Sequence, residues 1–223
     1  MTAVGITREL ICLPERFRSC NLYFLSDGQS SILFDPSQAP DALPAGPKPQ
    51  ALVATHAHYD HLGRLEQWKE TLEDLTFYLH EGDLPMLTDT ALNASLFFGR
   101  PTSFLQADRL LAEGDRLALG RNYEILVIHT PGHTMGSCCF LIERLSGQER
   151  IPLALLTGDT LFDRAWGRTD FATGDEGLMQ QSLKRLYRLL EQLPDSLPVC
   201  PGHGRITSAS EACRFLQMTG FAS

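Results

Sequence analysis

The chain has 223 residues and a formal charge of −8, and 43% of its residues are hydrophobic and 21% charged. This composition is typical of a globular protein and excludes a mainly disordered chain. Because nucleic acids and anionic membranes are themselves negatively charged, we expect neither as a partner. The first twenty residues lack a signal-peptide segment, and no apolar run is long enough to span a bilayer. The sequence therefore predicts a cytoplasmic protein.

Short apolar runs recur along the chain and predict β-strands. The predicted strands are 22–25, 31–34, 51–55, 76–79, 123–128, 138–142, 152–157 and 198–200. Five prolines predict an irregular segment over 36–50. Apolar residues at helical spacing predict one helix over 62–72 and another that begins near Asp175 and ends at Pro194. Strands interspersed with helices predict an α/β or α+β fold in which helices cover sheets.

The cysteines show no CxxC pair and no regular spacing. They are Cys12, Cys20, Cys138, Cys139, Cys200 and Cys213. In a reducing compartment such cysteines are free thiols, so we predict no structural disulfide.

Four potential metal ligands directly follow the predicted strand 51–55. They are His56, His58, Asp60 and His61. In extended backbone, alternate side chains share one side, and His61 begins the following helical pattern. A strand-to-helix turn therefore brings these donors close to one another, on a rigid strand that suits a metal site.

Three further donors follow later apolar runs, each in a turn that contains glycine: His133 in HTPGHTMGS, Asp159 in TGDT and His203 in PGHG. Residues that end separate strands converge on one edge of a sheet. Because the donors are imidazole nitrogens and carboxylate oxygens without a thiolate, they suit zinc, iron or manganese.

The segments THAHYDH, PGHT, GDT and PGHG, in this order, resemble the metallo-β-lactamase superfamily of hydrolases. The segment GDTLFDRAWGRTDF at 158–171 resembles the short bacterial glyoxalase II-like proteins, which are hydroxyacylglutathione hydrolase-like. The resemblance implies an αββα sandwich of two mixed β-sheets flanked by helices. It also implies one hydrolase domain over 1–223, without the C-terminal helical extension that binds glutathione in full-length glyoxalase II.

The resemblance also implies a dinuclear metal centre. One ion would be bound by His56, His58 and His133, the other by Asp60, His61 and His203, and Asp159 would bridge them. The expected cofactors are two divalent ions, zinc in the first place, with iron and manganese as alternatives. Asp60 would in addition orient the hydroxide held between the ions.

The activity that the resemblance implies is hydrolysis of a small-molecule thioester or ester, in the thioesterase class EC 3.1.2. The best candidate substrate is a hydroxyacylglutathione such as S-lactoylglutathione. A thiolate leaving group needs little protonation, so no separate general acid is required. We expect a monomer or a homodimer.

Other activities stay open. Persulfide dioxygenases share HxHxDH but use a single iron, which His56, His133 and Asp159 would bind here. Lactonase and β-lactamase are weaker alternatives. Thiol-ligand β-lactamases place a cysteine where Asp159 stands, and secreted forms need a signal peptide. A binding module without activity is the weakest interpretation, because a complete dinuclear site has no evident structural purpose.

Further residues are candidates for contacts to substrate or for support of the metal ligands: Asp35, Phe97, Phe98, Thr134, Ser137, Arg168 and Asp170. Asp35 either supports an imidazole or caps a turn. Arg168 and Asp170 either orient substrate or fix their loop as an ion pair. The two phenylalanines form either a pocket wall or core.

Overall fold

The computed structural model describes residues 3–222, which form two compact units, one up to Ala112 and one from Glu113. Each unit is built on one mixed β-sheet with helices. The predicted α/β class with two mixed sheets and flanking helices is therefore confirmed. Among residues 3–222, no helix combines the length and hydropathy that crossing a membrane requires.

The first unit contains a seven-stranded sheet whose strands follow one another in chain order. Its strands are β1 (Val4–Gly5), β2 (Leu10–Leu13), β3 (Leu22–Ser26), β4 (Ser31–Phe34), β5 (Pro49–Val53), β6 (Thr76–His80) and β7 (Arg109–Leu111). The pairs β1–β2, β2–β3 and β3–β4 are antiparallel, whereas the pairs β4–β5, β5–β6 and β6–β7 are parallel. Strands β4, β5 and β6 therefore end at the same edge of the sheet.

The helices of the first unit are short. They are α1 (Tyr59–Leu62), α2 (Leu65–Thr71) and the 3₁₀ helices Pro40–Ala42 and Glu81–Leu87. The single helix predicted over 62–72 is thus divided at Gly63 and Arg64. Its apolar residues Leu62, Leu65 and Trp68 are buried in one cluster with side chains of the sheet, as their spacing indicated.

The second unit contains a six-stranded sheet in the order β15-β14-β11-β10-β9-β8 and the hairpin β12–β13. Its strands are β8 (Arg116–Leu119), β9 (Tyr123–His129), β10 (Cys138–Ser146), β11 (Glu149–Gly158), β12 (Leu161–Phe162), β13 (Ala165–Trp166), β14 (Pro198–Pro201) and β15 (Thr207–Ser208). Strand β10 is antiparallel to β9 and β11, and β14 is parallel to β11. Strands β9, β11 and β14 therefore end at one edge.

Two amphipathic helices, α3 (Glu176–Leu190) and α4 (Ala209–Met218), contribute apolar residues to the core of the second unit. The predicted start of α3 is confirmed, because the Asp175 side chain caps it by accepting from the Leu178 N–H at 2.8 Å. The helix ends at Leu190, short of the predicted end at Pro194, because the N–H groups of Gln192 and Leu193 bond three residues back in a tightened last turn. Helix α4 was missed, although Ser208 and Glu211 form a capping box that announces it.

All six cysteines are free thiols, as predicted. Burial raises the pKa of the Cys139 thiol to about 11. Above pH 9 the unfolded chain releases this proton while the folded chain keeps it, so the free energy of unfolding falls as pH rises. Between pH 8 and pH 10, we expect the wild type to lose about 1 kcal/mol more stability than Cys139→Ala in urea denaturation. Equal losses in the two proteins would contradict this account.

Candidate metal centre

In the first unit, polar residues collect where the parallel strands β4, β5 and β6 end. Asp35 directly follows β4, the segment from Thr55 to His61 follows β5, and Asp83 lies just after β6. The sheet thereby fixes the backbone from which these side chains project, as a metal site with defined geometry requires.

The orientation of the His56 ring is set by a short relay of hydrogen bonds. The Thr55 hydroxyl donates to Asp35 Oδ2 at 2.9 Å, so its oxygen accepts from His56 Nδ1 at 3.1 Å. A proton on Nδ1 leaves a lone pair on His56 Nε2. That nitrogen lies 3.0 Å from His58 Nδ1, and both rings are buried.

This pair of nitrogens fits a metal ion. Two ligands bound at about 2.0–2.1 Å to one tetrahedral zinc ion stand about 3.3 Å apart. His56 Nε2 and His58 Nδ1, at 3.0 Å, already have nearly that spacing. The two imidazoles therefore need only a small adjustment to bind one ion.

Asp35 also fixes His61, the third buried imidazole of this segment. Its Oδ2 lies 3.0 Å from His61 Nδ1, and its Oδ1 accepts from the Thr55 N–H at 2.7 Å. Since a carboxylate only accepts hydrogen bonds, His61 Nδ1 carries the proton and Nε2 carries the lone pair. Asp60, which precedes His61 in α1, is half-buried. Of the two roles predicted for Asp35, these contacts suit support of an imidazole.

We expect Asp35→Asn to weaken metal binding by about 10- to 100-fold. Asparagine tolerates the positive φ of 53° at this position, so the backbone is retained. The Thr55 N–H and His61 Nδ1 contact different oxygens of the carboxylate. Because an amide has one oxygen, it cannot accept from both. Metal affinity measured by competition with a chelator checks this, with exposed Asp74→Asn as the control. Equal affinities in the two variants would show that the carboxylate does not support the site.

Asp83 was not among the predicted residues. Its carboxylate is fully buried and accepts the Ala57 N–H at 2.9 Å. That bond holds the peptide between His56 and His58. The signal that could have found it is its position just after a strand end parallel to β5.

A thiol also lies beside this group. Cys20 Sγ, an Asp35 carboxylate oxygen and a His61 ring nitrogen lie within 4.8 Å of one another. Burial raises the pKa of the Cys20 thiol to about 12, so it is neutral at physiological pH.

In the second unit, Asp159 directly follows β11, whereas His133 and His203 follow β9 and β14. These are the strands that end at one edge of the sheet. A single oxygen, Asp159 Oδ2, lies 3.5 Å from His133 Nε2 and 3.7 Å from His203 Nε2. Within this unit the structure therefore brings together three residues that are separated by 26 and 44 positions in the sequence.

His133 is oriented in the same manner as His61. Its Nδ1 donates to the Arg168 carbonyl oxygen at 2.7 Å, which leaves the lone pair on Nε2. That lone pair faces the Asp159 carboxylate. Two electron-pair donors that face each other repel, and a cation bound by both stabilises the arrangement. The donor set of the second unit therefore also fits a metal ion.

Gly167 is a further residue that the sequence did not single out. A Cβ at this position would overlap the carbonyl oxygen of Asp159 and lie 3.1 Å from His133 Nδ1. The missing side chain lets the loop pass close to both predicted ligands and bring the Arg168 carbonyl to His133. Within GRTD, the glycine has as clear a role as the charged residues.

Residues 16–203 match the family model of the metallo-beta-lactamase superfamily. The chain belongs to this superfamily. This is a metallo-hydrolase superfamily, and the two groups of histidines and carboxylates described above suit such an enzyme.

Several relatives within the superfamily match most of the chain. An uncharacterised Mycobacterium tuberculosis protein is 33% identical, and the match covers 91% of this chain and 93% of that protein. The probable metallo-hydrolase YqgX of Bacillus subtilis is 30% identical, with 82% and 84% covered. The hydroxyacylglutathione hydrolase GloC of Haemophilus influenzae is 33% identical, with 74% and 73% covered.

Two solved structures of similar proteins share the fold over nearly their whole length. The B3 metallo-beta-lactamase BLEG-1 has a TM-score of 0.75 at 32% identity, covering 91% of this chain and 95% of that one. TTHA1623, solved in a di-iron-bound form, has a TM-score of 0.74 at 32% identity, with 92% and 97% covered.

The remaining candidates near the ligands of this superfamily member make local contacts. Thr134 and Ser137 share a hydrogen bond of 2.8 Å between their hydroxyls. Arg168 forms a bidentate ion pair with Asp170 at 2.6 and 2.7 Å, and its guanidinium lies over the Phe171 ring. The pair is exposed, and it orders the loop whose carbonyl orients His133.

Phe97 and Phe98 differ in their surroundings. Phe97 is 73% exposed, whereas Phe98 is half-buried, with its ring centroid 5.7 Å from that of Tyr59. Phe98 therefore packs against the turn that contains Asp60 and His61, while Phe97 offers an apolar surface.

Proposed function

We propose that this protein is a dinuclear metal-dependent hydrolase that cleaves a thioester or ester. One observation carries the proposal: in the second unit, two imidazole nitrogens lie within 3.7 Å of the same Asp159 carboxylate oxygen. Two histidines that approach one carboxylate oxygen this closely can bind ions that share this oxygen as a ligand.

In this proposal, Asp159 is that shared ligand. His56, His58 and His133 bind one ion, and Asp60, His61 and His203 bind the other. Membership of the superfamily and the lone pairs assigned to His56, His61 and His133 support this division. When bound, the two ions would activate a water molecule near neutral pH and polarise the substrate carbonyl.

The residues of the chain have defined roles in the reaction. Asp60 orients the attacking water. Asp35, Thr55 and the Arg168 carbonyl keep the imidazole protons on Nδ1, so that each Nε2 stays available. A thioester suits this arrangement because the departing thiolate is stable without protonation by the protein.

A glutathione thioester is the substrate we propose first. The 33% identity to the hydroxyacylglutathione hydrolase GloC supports it. Zinc is the metal we propose, with iron as the alternative that the di-iron form of TTHA1623 favours.

The test is elemental analysis of protein purified without added metal, together with three activity assays. About two equivalents of zinc, iron or manganese and hydrolysis of S-lactoylglutathione would support the proposal. Hydrolysis of nitrocefin alone would instead indicate a β-lactamase, which the 32% identity to BLEG-1 makes a necessary comparison. One equivalent of iron, with oxygen uptake on glutathione persulfide and no thioester hydrolysis, would replace the proposal by a single-iron dioxygenase.

A further inference from the structure

The first unit contains a cavity of about 310 Å³ that the proposed chemistry does not use. Four arginines line it: Arg16, Arg18, Arg64 and Arg100. Among the described residues around the cavity, Asp41 is the one acidic side chain. The cavity is therefore strongly positive in a protein whose net charge is −8.

Within the part of the chain that the structure describes, these four guanidinium groups have no carboxylate partner. Across residues 3–222, none of the four forms an ion pair with a described carboxylate, whereas arginines such as Arg150, Arg168 and Arg205 do. Like charges around one cavity repel each other, and a bound anion relieves that repulsion. Arginine is also the side chain best shaped to hold carboxylates and phosphates by two parallel hydrogen bonds.

Hydrogen bonds with buried side chains hold the loop that carries Arg16 and Arg18, here called the arginine loop. Buried Ser19 accepts the Arg16 N–H at 2.9 Å, and the Ser37 hydroxyl donates to the Cys20 carbonyl at 3.0 Å. Gln38 donates from its amide to the two carbonyls that precede this loop, both at 3.0 Å. A fixed backbone lowers the entropy that ligand binding would cost.

The cavity lies beside helix α1, which contains two of the proposed metal ligands, Asp60 and His61. Its lining includes Tyr59 and Gly63, which flank Asp60 and His61 in the sequence. The arginine loop is bonded to the same helix, because the Cys20 N–H donates to the Asp60 carbonyl at 3.1 Å. An anion bound here is therefore adjacent to the segment that would act on the substrate.

We propose that this cavity binds the carboxylate or phosphate groups of the thiol portion of a thioester substrate. Its role in turnover rests on the proposed hydrolase function. Glutathione offers two carboxylates and coenzyme A offers phosphates, and both match unpaired guanidinium groups.

The kinetic test compares Arg16→Gln/Arg64→Gln with Arg8→Gln/Arg109→Gln. The control pair is exposed, belongs to the same unit, does not line the cavity and changes the net charge equally. The substrates are S-lactoylglutathione, lactoyl-coenzyme A and the uncharged lactoyl thioester of N-acetylcysteamine. The cavity variant is expected to raise KM about tenfold for one anionic thioester without changing kcat, and to leave the uncharged thioester unaffected. The affected substrate identifies carboxylate or phosphate as the ligand group.

Unchanged KM for both anionic thioesters, or an equal rise for the uncharged one, would overturn the inference. Calorimetric titration of the metal-loaded proteins with S-methylglutathione and desulfo-coenzyme A tests binding without turnover. Binding that the cavity variant loses and the control retains would support the site even if no thioester is hydrolysed, in which case the proposed hydrolase function alone fails. No binding of either probe to the wild type would overturn the site.

Discussion

Asp159→Ala is expected to purify with less than about a tenth of the wild-type metal and to lose thioester turnover by about a thousandfold, equivalent to ~4 kcal/mol of transition-state stabilisation. The physical reason is that one oxygen of this carboxylate serves both His133 and His203, at 3.5 and 3.7 Å. Its removal takes away negative charge that both proposed ions need. Elemental analysis and S-lactoylglutathione hydrolysis measure the two effects.

The matched control is Asp163→Ala. Asp163 lies in the same loop region, but its carboxylate pairs with Arg205 at 2.6 Å, and this guanidinium lowers the pKa of Asp163. This variant should keep its metal and its turnover. If Asp159→Ala retained two equivalents of metal, the shared-ligand assignment would be wrong, whatever happened to its activity.

Gly167→Ala is expected to lower both stability and metal content although it adds a single methyl group. The new Cβ would overlap the Asp159 carbonyl and approach His133 Nδ1 to 3.1 Å, so the loop has to move. Overpacking of this kind costs about 1–3 kcal/mol and more when backbone is displaced. For a chain of this length, we expect the melting temperature to fall by roughly 2–12 °C.

The displaced loop would also withdraw the Arg168 carbonyl from His133, whose proton position then becomes unspecified. We therefore expect the purified variant to bind less metal than the wild type at the same concentration of a competing chelator. Gly46→Ala is the control, because a Cβ there meets no atom closer than 4.0 Å. A Gly167→Ala protein with wild-type metal affinity would show that the loop adapts without disturbing His133.

The sequence predicted the central strands because their apolar runs are long enough to be buried on both faces. It missed β2, although its LICL run is apolar, and β7 and β8, which are three and four residues long and mostly not buried. The division between α1 and α2 was also missed, because Leu62, Leu65 and Trp68 keep helical spacing across the break at Gly63.

At the candidate centre, the histidines and Asp60 could be proposed from the sequence, because imidazoles and carboxylates at such spacing are typical of a metal site. Asp83 and Gly167 were not, since each acts through a contact with a residue distant in sequence. The cavity lined by arginines was not predicted, for the same reason. Arg16, Arg64 and Arg100 are separated by dozens of residues in the sequence and come together only after folding.

Asp35 is linked to both His56 and His61, and this limits how a single substitution can alter the site. Asp35 reaches His56 through the Thr55 hydroxyl and His61 directly, and in the proposed division these histidines serve different ions. Any substitution at Asp35 therefore alters both affinities together. Selective loss of one ion, as a mononuclear descendant would need, has to begin elsewhere, at a residue such as His203 that would bind one ion alone in the proposed division.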